Sequence, residues 1–524
     1  MIVLLAIPGM DGEREDIEIA SLKAYLVSKG LTVHLVILYG EVNDTDVADV
    51  LPYNFRILGI RMDEINGTRC YKIASLIKQS HPESIIFVFG DLPTNAYSLI
   101  LQDCSHIDFV VLGDPEETVF HTVTAINNGV PAHVLESIVT RNDIVKKQAA
   151  QADVPNLPWP SKDFLQRGGY RSARIYAGRG CCGSCAFCSY HLYYKNSENL
   201  WQGRNMFDVY NEVMYLNREY GISNFAFQDE SLEDPDHYQK RRIIDFCDHL
   251  TDNINKLSFW CYLRPNTFRD EDIDTIKKMR ASGFIQVYLG IESNSEQDLR
   301  LYGKRNTVED NARAIRLFTQ EGIDVEYGFI MINPLSTEKS LLENYIFLEQ
   351  NNTFRTSLYT NQLSVIYNTP FYWKMLKQGM LTDQYSYLRP LSYRFDNDFT
   401  TELCVFLGKS YALSEIRGYE IKCMSIKNAF LRLIYRFPND VDVKEGYTKF
   451  IDIQKKIGHK VSTYFSILYR ENNIRKAADC FTQWEAEMIQ LHKSALILYI
   501  KMMKNYKYFN YINPLAKKNQ PKSD

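Results

Sequence analysis

The sequence has little of what would place it in a membrane or on a nucleic acid. No apolar run among its 524 residues approaches the roughly 20 residues that a spanning helix needs. Lys and Arg number 60 against 64 Asp and Glu, a formal charge of −4, so a basic field that could hold a phosphate backbone is missing. Both shortages predict that neither membrane nor nucleic acid is a partner. The opening run Met1–Pro8 lacks a basic flank and is followed at once by the charged stretch Asp11–Asp16, which predicts a buried strand and not an export signal. Eleven cysteines, an odd number without an export signal, predict a reducing, cytoplasmic setting over a disulfide framework. Residues 380–515 carry no metal-spaced pairs. Cys404, Cys423, Cys480 and His459 stand alone there and are predicted to be packed, not ligating. The lysines Lys501, Lys504, Lys507, Lys517, Lys518 and Lys522 form a basic tail that reads as a solvated end.

What is present describes a globular protein, 45% hydrophobic and 24% charged, long enough for two or three domains. Four of the eleven cysteines fall in one short stretch, Gly178 to His191. Cys181, Cys185 and Cys188 have the spacing C-x3-C-x2-C. A short loop of that kind can wrap three thiolates around three corners of a soft-metal cluster and leave the fourth corner open. Gly178, Gly180 and Gly183 let the backbone bend tightly around it. Spacing alone leaves two other readings: a structural zinc site with His191 or Cys182 as fourth ligand, and a set of buried, inert thiols.

Around this loop the chain alternates strands and helices. Residues 1–140 predict strands at Ile2–Ile7, Thr32–Leu38, Phe55–Ile60, Ser84–Phe89 and Phe109–Leu112, with helices around Ile17–Ser28, Cys70–Gln79 and Glu116–Asn127. That spacing predicts a Rossmann-like, doubly wound α/β domain with ligands beyond the carboxyl ends of its strands. Residues 141–170 include Val154–Ser161, with three prolines, and predict an extended linker. Residues 171–375 predict six strands: Ala173–Ala177, Asn224–Gln228, Ser258–Leu263, Ile285–Gly290, Val325–Met331 and Gln362–Tyr367. The intervening helices are Met206–Tyr220, Asp236–Thr251, Glu271–Ser282, Glu296–Tyr302, Val308–Glu321 and Glu338–Gln350. A partial (β/α)6 barrel with its site at the carboxyl ends is the natural closure. Residues 376–524 predict a C-terminal α-helical domain over Ile421–Tyr435, Val443–Ile457 and Trp484–Met503, expected to cap the barrel mouth.

The cysteine loop, with Phe187 just before the last cysteine, resembles the C-x3-C-x-aromatic-C signature of radical S-adenosylmethionine (SAM) enzymes. Strand ends downstream fit the same pattern in order: Asp229 and Glu230, Arg264 before Pro265, Gly290-Ile291-Glu292-Ser293, and Asn368-Thr369-Pro370-Phe371. The turns Gly90-Asp91 with Thr94, and Gly113-Asp114 with Glu116, resemble in layout the cobalamin-binding domain at the front of many such enzymes, although the letters differ from the usual Gly-Gly and Gly-Glu-x-Glu. No Asp-x-His-x-x-Gly motif occurs, so the resemblance implies a cobalamin without a histidine on its lower face.

The resemblance implies a [4Fe–4S] cluster on Cys181, Cys185 and Cys188, and SAM held by Phe187, Asp229, Glu230, Arg264, Glu292 and Ser293. It implies cobalamin at Gly90, Asp91, Thr94, Gly113, Asp114 and Glu116. The chemistry it implies is C-methylation of an unactivated carbon of a peptide or small natural product through a 5′-deoxyadenosyl radical, with an external flavodoxin- or ferredoxin-type reductant. The alternative is a rearrangement, cyclisation or ring contraction without net methylation. A tRNA methylthiotransferase would need a second cluster's cysteines in residues 1–140, where only Cys70 and Cys104 occur. A non-catalytic zinc or Fe–S binding module is the remaining reading.

Overall fold

The computed structural model describes residues 1–7, 15–38, 50, 53–130, 137–143, 149–166, 172–190, 199–233, 240–250, 256–382, 387–388, 391–411 and 414–503. The chain divides into two compact units. The first holds Met1–Tyr220, Gln228–Glu230 and Ser364–Ser392, and the second holds Gly221–Phe227, Ser231–Leu363 and Tyr393–Asp524.

The first unit is built on a six-stranded sheet. Its strands are β1 (Ile2–Ala6), β2 (Val33–Ile37), β3 (Ile57–Arg61), β4 (Ile85–Phe89), β5 (Phe109–Val111) and β6 (Ile138–Thr140), in the order β2-β1-β3-β4-β5-β6. All neighbours are parallel except β5 and β6. Alternation along β1 explains why the sheet is covered on both faces. Val3 and Leu5 enter one core with helices Gly67–Ser80 and Asp91–Asp103, through Ile73, Ile77 and Ile100. Ile2, Leu4 and Ala6 enter the other with helices Ile17–Ser28 and Pro115–Asn127, through Leu22, Leu26, Val119 and Val123. Helix Asp91–Asp103 begins directly at the β4 turn, and its Pro93 is tolerated because first-turn N–H groups have no intrahelical partner.

The proline-rich stretch does not hang free. Trp159 Nε1 donates to Asp208 (2.9 Å), Lys162 Nζ to Glu212 (2.8 Å) and the Ser161 N–H to the Ala20 carbonyl (2.9 Å), which fastens it to helices Met206–Tyr220 and Ile17–Ser28. Residues 364–392 also belong to this unit. The Tyr387 hydroxyl donates to Asp103 and pairs with the Tyr71 hydroxyl, and its ring joins the core. Three further strands, β7 (Ser172–Ile175), β8 (Gly178–Gly180) and β9 (Trp201–Gly203), complete the unit.

The second unit carries parallel strands β10 (Asn224–Phe227), β11 (Ser258–Leu263), β12 (Phe284–Glu292) and β13 (Asp324–Phe329), hydrogen-bonded in that order. Phe225, Phe227, Phe246, Phe259 and Phe284 form one ring stack beneath them. The strand expected over Gln362–Tyr367 is reduced to two isolated bridges, Gln362 with Ile332 and Val365 with Leu391. The short helix Thr356–Thr360 ends just before it, and the Asn361 carbonyl already takes the N–H groups of Met331 and Ile332. Helix Arg241–His249 replaces the longer Asp236–Thr251, whose ends lie outside the described residues.

Helices Asp398–Tyr411, Ile416–Arg436, Val441–Tyr469 and Ile474–Met503 follow, longer than their periodicity suggested. Lys427 pins the second of them to β13, with its ammonium 2.9 Å from Asp324 and 2.7 Å from Glu326. No helix among the described residues is long and apolar enough to cross a membrane.

Glu420, about two helical turns before Lys427, is buried and accepts from Thr356 Oγ1 (3.0 Å) and the Ser357 N–H (3.2 Å). Burial pushes its carboxyl up to about 7 against these donors. The unfolded chain ionises this group near 4.5 while the folded chain keeps it protonated to about 7, so stability falls as pH rises through that window. Glu420→Gln is therefore expected to flatten the loss of thermal stability of the second unit between pH 5 and 8, read from melting curves across that range.

Candidate active site

The cysteine loop leaves the sheet through an antiparallel ribbon. β8 pairs with β9 in the register Gly178↔Gly203, Arg179↔Gln202 and Gly180↔Trp201. The glycines are needed for contact as much as for bending. A Cβ on Gly178 would stand 2.7 Å from the Trp201 ring, and one on Gly180, at φ +94°, would stand 2.3 Å from the Leu200 carbonyl oxygen. Cys181, Cys182, Cys185 and Cys188 are all half-buried. The Gly183 N–H points to Cys181 Sγ (3.2 Å) and the Tyr190 N–H to Cys188 Sγ (3.4 Å), as thiolate ligands require. Burial pushes the Cys188 thiol up to about 11, so a cation is needed to hold it as thiolate at neutral pH. Phe187 is half-buried in the same loop. The Phe371 N–H donates to the Ala186 carbonyl (2.8 Å) and ties the Thr369-Pro370-Phe371 turn to the loop.

A zinc site gathers its donors round one ion, whereas a cluster gives each cysteine its own iron. Among the described residues no three His, Cys, Asp or Glu groups gather for a single ion, and His191 lies outside them. The half-exposed triad with its N–H donors fits a cluster.

Asp229 and Glu230 brace the strand that feeds the loop. Asp229 accepts from the Ala177 N–H (2.9 Å) and Glu230 from the Gly180 N–H (3.1 Å). Burial pushes the Glu230 carboxyl up to about 8, against a hydrogen bond from Tyr190.

Arg179, which sequence reasoning passed over, is the centre of the arrangement. Its side chain is 5% exposed. It donates to Asp114 Oδ1 (3.2 Å), to both oxygens of Glu116 (3.1 and 2.7 Å) and to Ser21 Oγ (2.9 Å). Asp114 also accepts from the Ala152 N–H (2.9 Å). Glu116 is completely buried; burial would raise its carboxyl, but Arg179 and Ser21 together hold it below the usual range. Asp114 and Glu116, expected at a cobalamin edge, are thus engaged by Arg179. The only signal in the sequence was an arginine between two glycines, two residues before the first cysteine.

The other expected cobalamin residues shape the two strand-end turns. Thr94 Oγ1 donates to the Gly90 carbonyl (2.9 Å) and accepts from the Gly113 N–H (3.0 Å), which joins the ends of β4 and β5. Gly90 has φ +117°, and Gly113 has φ +75° with the Ala150 carbonyl oxygen only 2.2 Å from where a Cβ would stand. The charge of Asp91 reaches Glu18, Glu64, Glu230 and Cys188. Glu18 is pushed up to about 7 by burial even though Arg61 lies 3.1 Å away.

The remaining expected residues lie in the second unit. Arg264 follows β11, with its Nε 3.2 Å from Glu233. Glu292 ends β12 at φ +67°, with Lys304 3.8 Å from its carboxylate. Gly290 and Gly328, paired in register, leave it room, since a Cβ on either would stand 3.1–3.3 Å from its oxygens. Burial raises its carboxyl against Lys304. Ser293 departs from the expectation of a SAM contact. It is fully buried, donating to Asn344 (2.8 Å) and Asp298 (3.2 Å) and accepting from the Ser295 N–H (3.0 Å).

The Radical SAM superfamily model matches residues 175–348. The chain carries a radical SAM domain there. Members use three cysteines of this loop for a [4Fe–4S] cluster that binds SAM, and the triad described above is the one that would hold it here. The radical SAM chain is 27% identical to an uncharacterized methyltransferase, PH0819, of Pyrococcus horikoshii over 61% of this chain and 70% of that protein. It is 25% identical to the anaerobic magnesium-protoporphyrin IX monomethyl ester cyclase of Rubrivivax gelatinosus over 52% of this chain, and spans half the length of that relative. Its fold resembles that of the cobalamin-dependent radical SAM enzyme OxsB, solved with aqua-cobalamin and SAM bound, at a TM-score of 0.74, 17% identity, and coverage of 99% of this chain and 84% of the other.

Removing Arg179 would leave Glu116 buried without a counter-charge, with only Ser21 donating to it, at a cost of roughly 3–5 kcal/mol. Arg179→Gln is expected to lower the melting temperature of the first unit sharply. Arg179→Lys should recover only part of that loss, because a point charge cannot replace the four-bond fork. Calorimetry of the two variants beside the parent checks both.

Proposed function

We propose that this radical SAM enzyme is a cobalamin-dependent C-methyltransferase acting on an unactivated carbon of a small molecule or peptide. One observation carries the reading: Arg179, two residues from Cys181, ends in the turn that follows β5. The cysteine loop and the β4 and β5 turns are thereby parts of one compact unit. The methyltransferase and the OxsB fold among the similar proteins support it. When bound, cluster and SAM supply one-electron cleavage and hydrogen-atom abstraction, and cobalamin a transferable methyl group.

The chain's own residues have the following parts. Cys181, Cys185 and Cys188 hold the cluster and leave one position open. In the first unit Phe187, Asp229 and Glu230 are the residues proposed for SAM, with burial favouring the protonated, donating form of Glu230; in the second unit they are Arg264, set by Glu233 to meet a carboxylate, and Glu292. Gly90, Asp91, Thr94 and Gly113 present backbone and small polar groups to the corrin edge. An external flavodoxin- or ferredoxin-type protein supplies electrons, and the setting is cytoplasmic.

The cyclase relatives favour a second reading, a cobalamin-containing enzyme that rearranges, cyclises or contracts a ring. Product mass separates the two: one added methylene per turnover supports methylation, an unchanged or oxidised skeleton the other.

After anaerobic reconstitution and chemical reduction, Ala replacements of Cys181, Cys185 or Cys188 are expected to bring 5′-deoxyadenosine formation down to background. Cys182→Ala should retain most of it. Equal loss in Cys182→Ala would overturn the ligand assignment.

A further inference from the structure

β12 ends in a strained turn. Glu292 has φ +67°, and the Ser293 N–H donates across it to the Ile291 carbonyl (2.9 Å). An i→i+2 hydrogen bond around a residue of positive φ makes the rarer, strained form of γ-turn. Glycine would take that conformation freely, so a glutamate there is not explained by the path of the chain. Pairing does not impose it either, because the ladder with β13 shifts register between Gly290 and Glu292. Strain of this kind persists only where the surroundings over-determine the backbone, and it gathers at ligand clamps.

Buried asparagines over-determine it here. Asn344 Oδ1, on helix Glu338–Gln350, accepts from the Asn294 N–H (2.7 Å) and from the Ser293 hydroxyl (2.8 Å). Asn311, on helix Val308–Gln320, donates to the Ser293 carbonyl (3.1 Å) and accepts from Asn306 (2.7 Å). Asn306 Nδ2 also reaches the Ile291 carbonyl (3.4 Å). Asp298 backs the set, accepting from Ser293 (3.2 Å) and Asn344 (3.3 Å). The residues on both sides of Glu292 are thus bonded by side chains from elsewhere in the second unit, while its own carbonyl takes the Ile330 N–H (2.7 Å). None of the asparagines bonds the Glu292 carboxyl, which lies over Gly290 and Gly328 with Lys304 3.8 Å away. What they fix is the direction of a group they do not use.

We infer that Asn344 and Asn311 are positioning residues: through the backbone of Ser293 and Asn294 they hold the strained turn that presents the Glu292 carboxyl to SAM. The inference rests on the reading of Glu292 as a SAM contact given above. It also gives Ser293 a place, in the clamp behind the turn and not at the cofactor.

The test is equilibrium dialysis of SAM against the full-length, cluster-loaded protein without reductant, with melting curves of the same samples. Glu292→Ala is expected to weaken SAM by roughly tenfold, the loss of one hydrogen bond to a charged group. Asn344→Ala and Asn311→Ala should each weaken it several-fold, and neither should weaken it further in the Glu292→Ala background, because a residue that acts through another loses its effect with it. A merely structural role gives the same loss with and without Glu292, and that additivity overturns the inference alone. Unchanged SAM affinity in Glu292→Ala overturns the reading of Glu292 as a SAM contact, and the inference with it. Gly328→Ala removes no hydrogen bond, and its methyl meets the Glu292 oxygens at 3.1–3.3 Å, so it displaces the carboxyl in a folded protein even if an asparagine variant unfolds. Several-fold weaker SAM binding is expected there, and unchanged affinity shows that the placement of the carboxyl does not matter and also overturns the inference.

Discussion

A single buried guanidinium fixes the geometry on which the rest of the site depends. Arg179 sits on β8, its carboxylate partners open the helix after β5, and Ser21 lies on the first helix. Glu116 stands in the first turn of its helix, where the backbone N–H groups already favour negative charge. Taking such a pair out of water is costly, and it is offset by the four bonds that both terminal nitrogens of Arg179 make to oxygens. That demand for satisfaction makes the joint stiff. A loop of half-exposed cysteines would otherwise be a poor place to hold a cluster. Here its root is locked to the sheet, and its far side is held by the Phe371 N–H.

Close backbone approach is the second constraint. At Gly178, Gly180, Gly90 and Gly113 a side chain would collide with backbone or with the Trp201 ring, so these glycines record where segments touch. Gly290 and Gly328 have another role: they leave the Glu292 carboxylate its space between two strands. Thr94 acts between the two kinds of turn, bonding one strand end and receiving the next. The result is a set of strand ends with small, fixed groups. Around them lies an excess of carboxyls, with Asp91 close enough to influence Glu18, Glu64, Glu230 and Cys188. Burial raises the carboxyls of Glu18, Glu64 and Glu230, which favours their protonated, hydrogen-bond-donating form.

The fold was readable where local pattern and burial agree. The apolar runs of β1, β3 and β4 announce a sheet covered on both faces, and the periodic helices announce the winding, although helix Asp91–Asp103 was not among those expected. The strand expected at Gln362–Tyr367 failed because pattern alone cannot tell that a neighbouring carbonyl is already engaged. Ser293 and Glu116 were placed at cofactor edges by their position in a motif. Motif position says nothing of which way a side chain turns, and both turn inward to buried partners.

By itself the sequence pointed to the class of the protein: three closely spaced cysteines followed in order by the strand-end motifs carry the radical SAM resemblance, and alternating apolar runs set the layers, because both are local properties of the chain. Tertiary structure alone decided which carboxylates are used up, and that Arg179 is the joint. Those outcomes depend on residues 63 to 158 positions apart sharing one low-dielectric space, and no pattern along the chain encodes that proximity.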